Sequence, residues 1–157
     1  IAYYHQHPDK ILTDQNLSTL SNRMKEKIAL LAMYYIGKHF HENKTPWTAS
    51  DLSDVLNISS EALSDILHTL ESDRLITRRE ERDIFYLPSQ SLENIFVTQI
   101  IDSIRSHDET SHSNNGSIHS VDTIDNLINN ISHSISSTTD TLSLRDLITG
   151  NLTDINT

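Results

Sequence analysis

The chain has 157 residues, a formal net charge of −10 and no cysteine. Its length allows one ordinary domain with appendages, and the missing thiols exclude a disulfide framework, a thiolate zinc site and a cysteine nucleophile. Residues 1–106 carry 15 acids and 11 bases, and residues 107–157 carry seven acids against Arg145 alone, so neither half has the basic excess that drives binding to phosphate backbones.

Residues 1–20 show no sustained period and read as a lead-in segment. Pro8 breaks any helix near it, and the His5-x-His7 pair lacks a third metal ligand nearby. The chain starts at Ile1 rather than Met, which points to a piece of a longer polypeptide. The longest apolar run, Ile28 to Ile36, is about half of what a membrane-spanning helix requires.

From Ser21, a plausible N-cap, to Phe40 the pattern predicts the first helix. Ile28, Leu31, Ala32, Tyr35, Ile36 and Phe40 form a wide apolar stripe that belongs in a core. Arg23, Lys25 and Lys27 form a basic cluster near the helix start, where they oppose the macrodipole. Either they are a solvated helix start or they face an external anionic surface such as lipid headgroups.

Thr48 to Tyr86 is the organising stretch. Thr48, with Asp51 three residues on, nearly makes a capping box. Leu52, Val55, Leu56 and Ile58 continue the helical period, and Asn57 closes the element. Ser59 or Ser60 caps a second helix whose apolar positions are Leu63, Ile66, Leu67 and Leu70. After Asp73-Arg74 the pattern turns strand-like, with Leu75-Ile76 and Ile84-Phe85-Tyr86 around a charged turn. The fold class read from this is mainly α with a small β-hairpin: a winged helix-turn-helix over residues 21–106, followed by a largely disordered tail.

The surface of that unit runs against a DNA reader. From Thr48 to Ser72 the acids Asp51, Asp54, Glu61, Asp65 and Glu71 meet no Lys or Arg. A helix in the recognition position normally brings cations or amides to phosphates and base edges, so nucleic acid is an unexpected partner on this reading. Arg78, Arg79 and Arg82 at the hairpin tip are the candidate nucleic-acid contacts if the unit does read DNA. Their alternation with Glu80, Glu81 and Asp83 equally describes a self-neutralising turn. Neither Glu80 with Glu81 nor Asp51 with Asp54 has the ligands or the loop that catalysis requires. No catalytic residue, metal site or cofactor site is expected, and the chain reads as a non-enzyme.

Pro88 ends the second strand, and Leu92, Ile95, Phe96, Ile100, Ile101 and Ile104 predict a turn and a last core helix to about Arg105, with Thr98 as a candidate cap. Residues 107–157 are rich in Ser, Thr, Asn and Asp and read by composition as an acidic tail. Two stretches in it keep a helical period. One is Ile118, Val121, Ile124, Ile128, Ile131 and Ile135; the other is Leu142, Leu144, Leu147 and Ile148, ended by Gly150. They read as conditional helices that order against the domain or against a protein partner bound over residues 118–148. His107, His112, His119 and His133 are too irregularly spaced to propose a metal site.

Four segments in order, MKEKIALLAMYYIGKHF, PWTASDLSDVLNIS, HTLESDRLI and FYLPSQSLENIFVTQIIDSIR, give residues from about Asn22 to Arg105 a family likeness. This part resembles the C-terminal cytosolic domain of the YihY/BrkB family, polytopic inner-membrane proteins labelled ribonuclease BN-like. The resemblance implies a six-helix membrane portion upstream as the partner of this segment. It also implies a position on the cytoplasmic face of the bacterial inner membrane, with Arg23, Lys25 and Lys27 on the membrane side, and a non-catalytic role in protein–protein or intramolecular contacts. The alternatives are a winged-helix DNA-binding regulator of the MarR or Rrf2 type and an accessory part of a tRNA-processing ribonuclease.

Overall fold

A computed structural model describes residues 20–112 and 122–152. The His5/His7 pair, most of the lead-in, and the tail positions Ile118, His119 and Val121 lie outside the described residues.

The central element is helix α1 (Asn22–His41). Ser21 caps it, accepting from the Met24 amide at 3.3 Å, and its Ala, Leu, Met, Lys and Glu content favours helix. Ile28, Ala29, Ala32, Met33 and Ile36 are buried, and the helix lies against most of the other elements. It stops at Glu42, whose amide still reaches Lys38 O, while Asn43 takes a left-handed φ of 52°.

Strand β1 (Trp47–Thr48) follows and leads into α2 (Ala49–Leu56) and α3 (Ser60–Ser72). Strands β2 (Ile76–Glu80) and β3 (Ile84–Pro88) form the hairpin, and the sheet order is β1-β3-β2, all antiparallel. The hairpin expected from the sequence is therefore part of a three-stranded sheet. Two residues are too few to show alternation, and β1 exists because Trp47 is anchored elsewhere. Its indole donates to Tyr35 O at 2.9 Å, stacks on His39 at 4.3 Å between centroids and meets Tyr35 edge-on. The chain is thereby held beside β3, pairing Trp47 with Tyr86 and Thr48 with Phe85.

After a 3-10 turn (Leu92–Asn94), α4 (Val97–His112) packs Val97, Ile100 and Ile104 inward. It begins one residue before Thr98, so Thr98 sits inside the helix rather than capping it. Arg105 of α4 donates to Glu26 of α1 at 2.7 Å, tying the two helices. Helices α5 (Asp122–Thr139) and α6 (Leu144–Thr149) complete the described chain. Leu144 is fully buried in the common core. The architecture is mainly helical with a small sheet, the winged helix read from the sequence.

Candidate nucleic-acid interface

The helix-turn-helix is held by short-range hydrogen bonds among small polar residues. Thr48 caps α2 through a complete capping box: the Asp51 amide donates to Thr48 Oγ1 at 3.1 Å, and the Thr48 amide donates to Asp51 Oδ2 at 3.4 Å. Asn57 ends α2 in the left-handed region, at φ 52° and ψ 49°. Asn tolerates that conformation better than most residues because its short side chain can bond locally. Ser53, buried, donates to Ile58 O at 2.8 Å and lies 3.3 Å from Ser60 Oγ, closing the turn from inside. Ser59 then caps α3, accepting from the Ala62 amide at 3.2 Å.

The orientation of α3 follows from its apolar stripe. Ala62, Leu63, Ile66, Leu67 and Leu70 are buried, which turns Ser60, Glu61, Ser64, Asp65, His68 and Ser72 outward. That outward face would be the reading surface. It carries acceptors, hydroxyls and one imidazole, and no Lys or Arg.

The cations come from the wing. Arg74, at a left-handed φ of 57°, turns the chain out of α3, and the Leu75 amide closes the end by donating to Leu70 O at 2.9 Å. Arg78 pairs across the hairpin with Tyr86, and Arg79 with Phe85. All three candidate arginines are exposed. Arg78 Nε lies 3.6 Å from Glu71 and 3.6 Å from Glu80, and Arg79 lies 4.0 Å from Glu81. Arg82 makes no ion pair among the described residues. Exposed pairs at these distances are worth well under about 1 kcal/mol, so exchanging them for phosphates costs little. Beside them, the Tyr86 hydroxyl has a pKa raised by burial and by the Glu71 carboxylate, against the opposing pull of Arg78, and it stays a neutral donor at ordinary pH.

The remaining sequence candidates do not join the wing or form a metal site. Arg23 and Lys27 are exposed on α1, whereas Lys25 is buried, so the three do not form one basic surface. Asp51 is committed to the capping box, and Glu80 and Glu81 to the wing arginines. Among the described residues no three His, Cys, Asp or Glu side chains converge on a point that could hold a metal ion.

The sequence matches no protein-family profile and no curated protein. Its structure does have counterparts. This is the fold of the IscR and CymR regulators. T. potens IscR superposes with a TM-score of 0.64 at 16% identity, covering 85% of this chain and 90% of that one. CymR, the global cysteine regulator of B. subtilis, gives 0.61 at 16% identity, with 83% and 96% covered. The oxidised form of Staphylococcus aureus CymR gives 0.62 at 17%, with 82% and 96% covered. At such identities the likeness is one of fold.

That likeness overturns the resemblance to the YihY/BrkB membrane proteins. The winged-helix portion, residues 21–106, holds 86 residues, whereas 85% of the 157-residue chain is about 133. The match therefore reaches beyond that unit into residues 107–157. The four segments mislead because each carries the apolar spacing that any winged helix needs: an inward face on the first helix, a capped α2, and a Pro ending β3. With the family go the upstream transmembrane partner, the inner-membrane location, the membrane-side role of Arg23, Lys25 and Lys27, and the ribonuclease association. No helix among the described residues is long and apolar enough to cross a membrane. The exclusion of nucleic acid is corrected as well, because solved structures sharing the fold are of transcription regulators. Net charge is a poor guide to a local contact, because at physiological salt exposed charges are screened beyond about 8 Å.

Proposed function

We propose that this chain is a non-enzymatic winged-helix transcription regulator that binds duplex DNA. In this reading α3 enters the major groove and the β2–β3 wing lies along the flanking backbone. The observation that carries it is the extent of the fold likeness to regulators, over more than four-fifths of this chain and nine-tenths or more of theirs. A winged helix borrowed as a scaffold would match over the 86-residue unit alone.

The acidic face of α3 gives the reading a specific chemistry. Glu61 and Asp65 can only accept hydrogen bonds, so in the major groove they face exocyclic amino groups, above all cytosine N4. Phosphates are left to Arg78, Arg79 and Arg82 and to backbone amides at the starts of α2 and α3. Affinity then depends on few counterions and falls gently with salt.

Self-association completes the proposal. Ile124, Leu127, Ile128 and Ile131 lie at helical spacing on α5, and each is more than half exposed. Apolar area of that extent on one face is what a partner surface shows. Pairing with a second copy would present two α3 helices to half-sites about 34 Å apart.

The test is selection from a pool of randomised duplexes by the whole chain in about 0.05 M salt. The expected outcome is enrichment of paired, cytosine-containing half-sites. In Arg78→Ala/Arg79→Ala the slope of log affinity against log salt becomes shallower by about one for each phosphate that is no longer neutralised. A bound pool indistinguishable from the starting pool would remove the proposal.

A further inference from the structure

One face of α1 turns away from the core and forms a wall of a groove of ≈ 560 Å³. Arg23 and Lys27 stand at one end, Leu30, Leu31 and Tyr34 continue along the helix, and Val97 of α4 and Leu147 of α6 close the far side. Leu30, Leu31, Tyr34 and Leu147 are only partly covered.

Several features of this groove are unfavourable in themselves. Arg23 and Lys27 are four residues apart on one helix face, where like charges repel. Both sit near the helix N-terminus, whose partial charge is already positive. Glu26, the one carboxylate in the groove, is held by Arg105 at 2.7 Å, and neither Arg23 nor Lys27 has an ion-pair partner among the described residues. In a chain of net charge −10, two cations without an ion-pair partner among the described residues, standing over an apolar floor, form a local exception. An anionic group between them and an apolar body beneath would relieve all of these at once.

We propose that this groove binds a small amphiphilic anion, a single carboxylate on an aliphatic or aryl body of medium length. The carboxylate lies between the Arg23 guanidinium and the Lys27 ammonium, and the body runs over Leu30 and Leu31 toward Tyr34 and Leu147. The eleven residue steps of helix from Arg23 to Tyr34 span about 16 Å, and the volume falls within the roughly 300–1,000 Å³ of small-molecule sites. Because Val97, Leu147 and the α1 wall belong to three helices, the bound ligand bridges α1, α4 and α6 and stabilises their packing. The inference does not depend on DNA binding.

The experiment is calorimetric titration of the full chain with sodium decanoate below its micellar concentration, with thermal unfolding in parallel. Saturable one-to-one binding and a raised Tm are expected, weakened at least tenfold in R23Q/K27Q. Both residues are exposed and repel each other, so the unliganded Tm of that variant should stay at or slightly above wild type; if it falls, R23Q and K27Q are titrated singly. Decylammonium, with the same body and the opposite charge, should not saturate. The proposal is overturned by decanoate that fails to saturate, or by equal binding to R23Q/K27Q or to decylammonium, which is surfactant adsorption only. Dissociation of a self-associated chain by R23Q/K27Q overturns it too, since it would assign the groove to α5 of a second copy.

Discussion

Helices α5 and α6 share one chemistry in sequence, Ile and Leu at helical spacing among Ser, Thr, Asn and Asp, yet they meet opposite fates. In α6 Leu144 is fully buried, whereas in α5 Ile124, Leu127, Ile128 and Ile131 are more than half exposed. The difference lies in what flanks them. A backbone bridge joins Phe96 to Ser143, the Leu144 amide donates to Ile95 O at 2.7 Å, and the Val97 amide donates to Leu142 O at 2.9 Å. A capping box between Ser143 and Asp146 starts the helix, and an ion pair joins Arg145 to Glu93. Gly37 on α1 supplies the seat: a Cβ there would stand 2.7 Å from Ile148 Cδ1 and 3.1 Å from Leu144 Cδ2. Among the described residues no comparable seat receives the α5 stripe. A periodic apolar face thus announces that something will cover it, and the surrounding backbone decides whether that is the same chain.

This contrast can be broken from the α6 side first. Leu144→Ala removes a fully buried side chain and is expected to lower unfolding stability by about 3 kcal/mol in urea titration; a drop under about 1 kcal/mol would mean that α6 is not part of the cooperative unit. Gly37→Leu fills the seat, and we expect about 2 kcal/mol of destabilisation from overpacking, with protease cleavage rising around residues 142–150. Intact protection there would show that the seat yields.

Ser143→Ala removes one partner of the capping box and should cost about 1 kcal/mol. Its pH dependence gives a sharper reading. The Ser143 hydroxyl and amide hold the Asp146 carboxyl below its ordinary pKa. A carboxyl depressed in the folded state contributes stability that is complete above its unfolded pKa, near 3.9 for Asp. That contribution is lost as pH falls from there through the lower folded value. The wild-type minus Ser143→Ala stability difference should therefore be flat near neutrality and shrink in this acid window; a difference unchanged down to about pH 2 would remove the ionic part of the cap.

The smallest effect on folding is expected on α5. Ile128→Asp replaces an exposed residue and should leave unfolding stability within about 0.5 kcal/mol, while shifting sedimentation from self-associated to single chains. A large fall in stability without that shift would place the stripe inside the chain's own fold.

Much of the winged helix is legible in the sequence because its signals are local. Thr48 with Asp51, Asn57, Ser59 and the Leu63-Ile66-Leu67-Leu70 stripe act within a turn or two of the chain, through hydrogen bonds that need no distant partner. Strand β1 is not legible, since two residues acquire strand geometry only when Trp47 is fixed by Tyr35 and His39. The wing arginines are visible as a cluster, but the neighbouring glutamates make them look more neutralised than they are: exposed ion pairs at 3.6–4.0 Å are weak and exchangeable. The acids of α3 speak against DNA by charge alone, yet exposed carboxylates are also acceptors for base amino groups.

By itself, the sequence determined the order of the helices and the hairpin, the caps at Ser21, Thr48 and Ser59, the turn at Asn57 and the inward face of α3. Those follow from spacing and from residues whose preferences act over four positions. Phe40 of α1 and Val55 of α2, placed in the apolar stripes by spacing, are by contrast exposed. Tertiary structure alone decided that Leu144 joins the core while α5 keeps its stripe outside, and that Arg23 and Lys27 stand over an apolar groove. These depend on contacts across about a hundred residues, as between Gly37 and Ile148, where shape and not periodicity selects the partner.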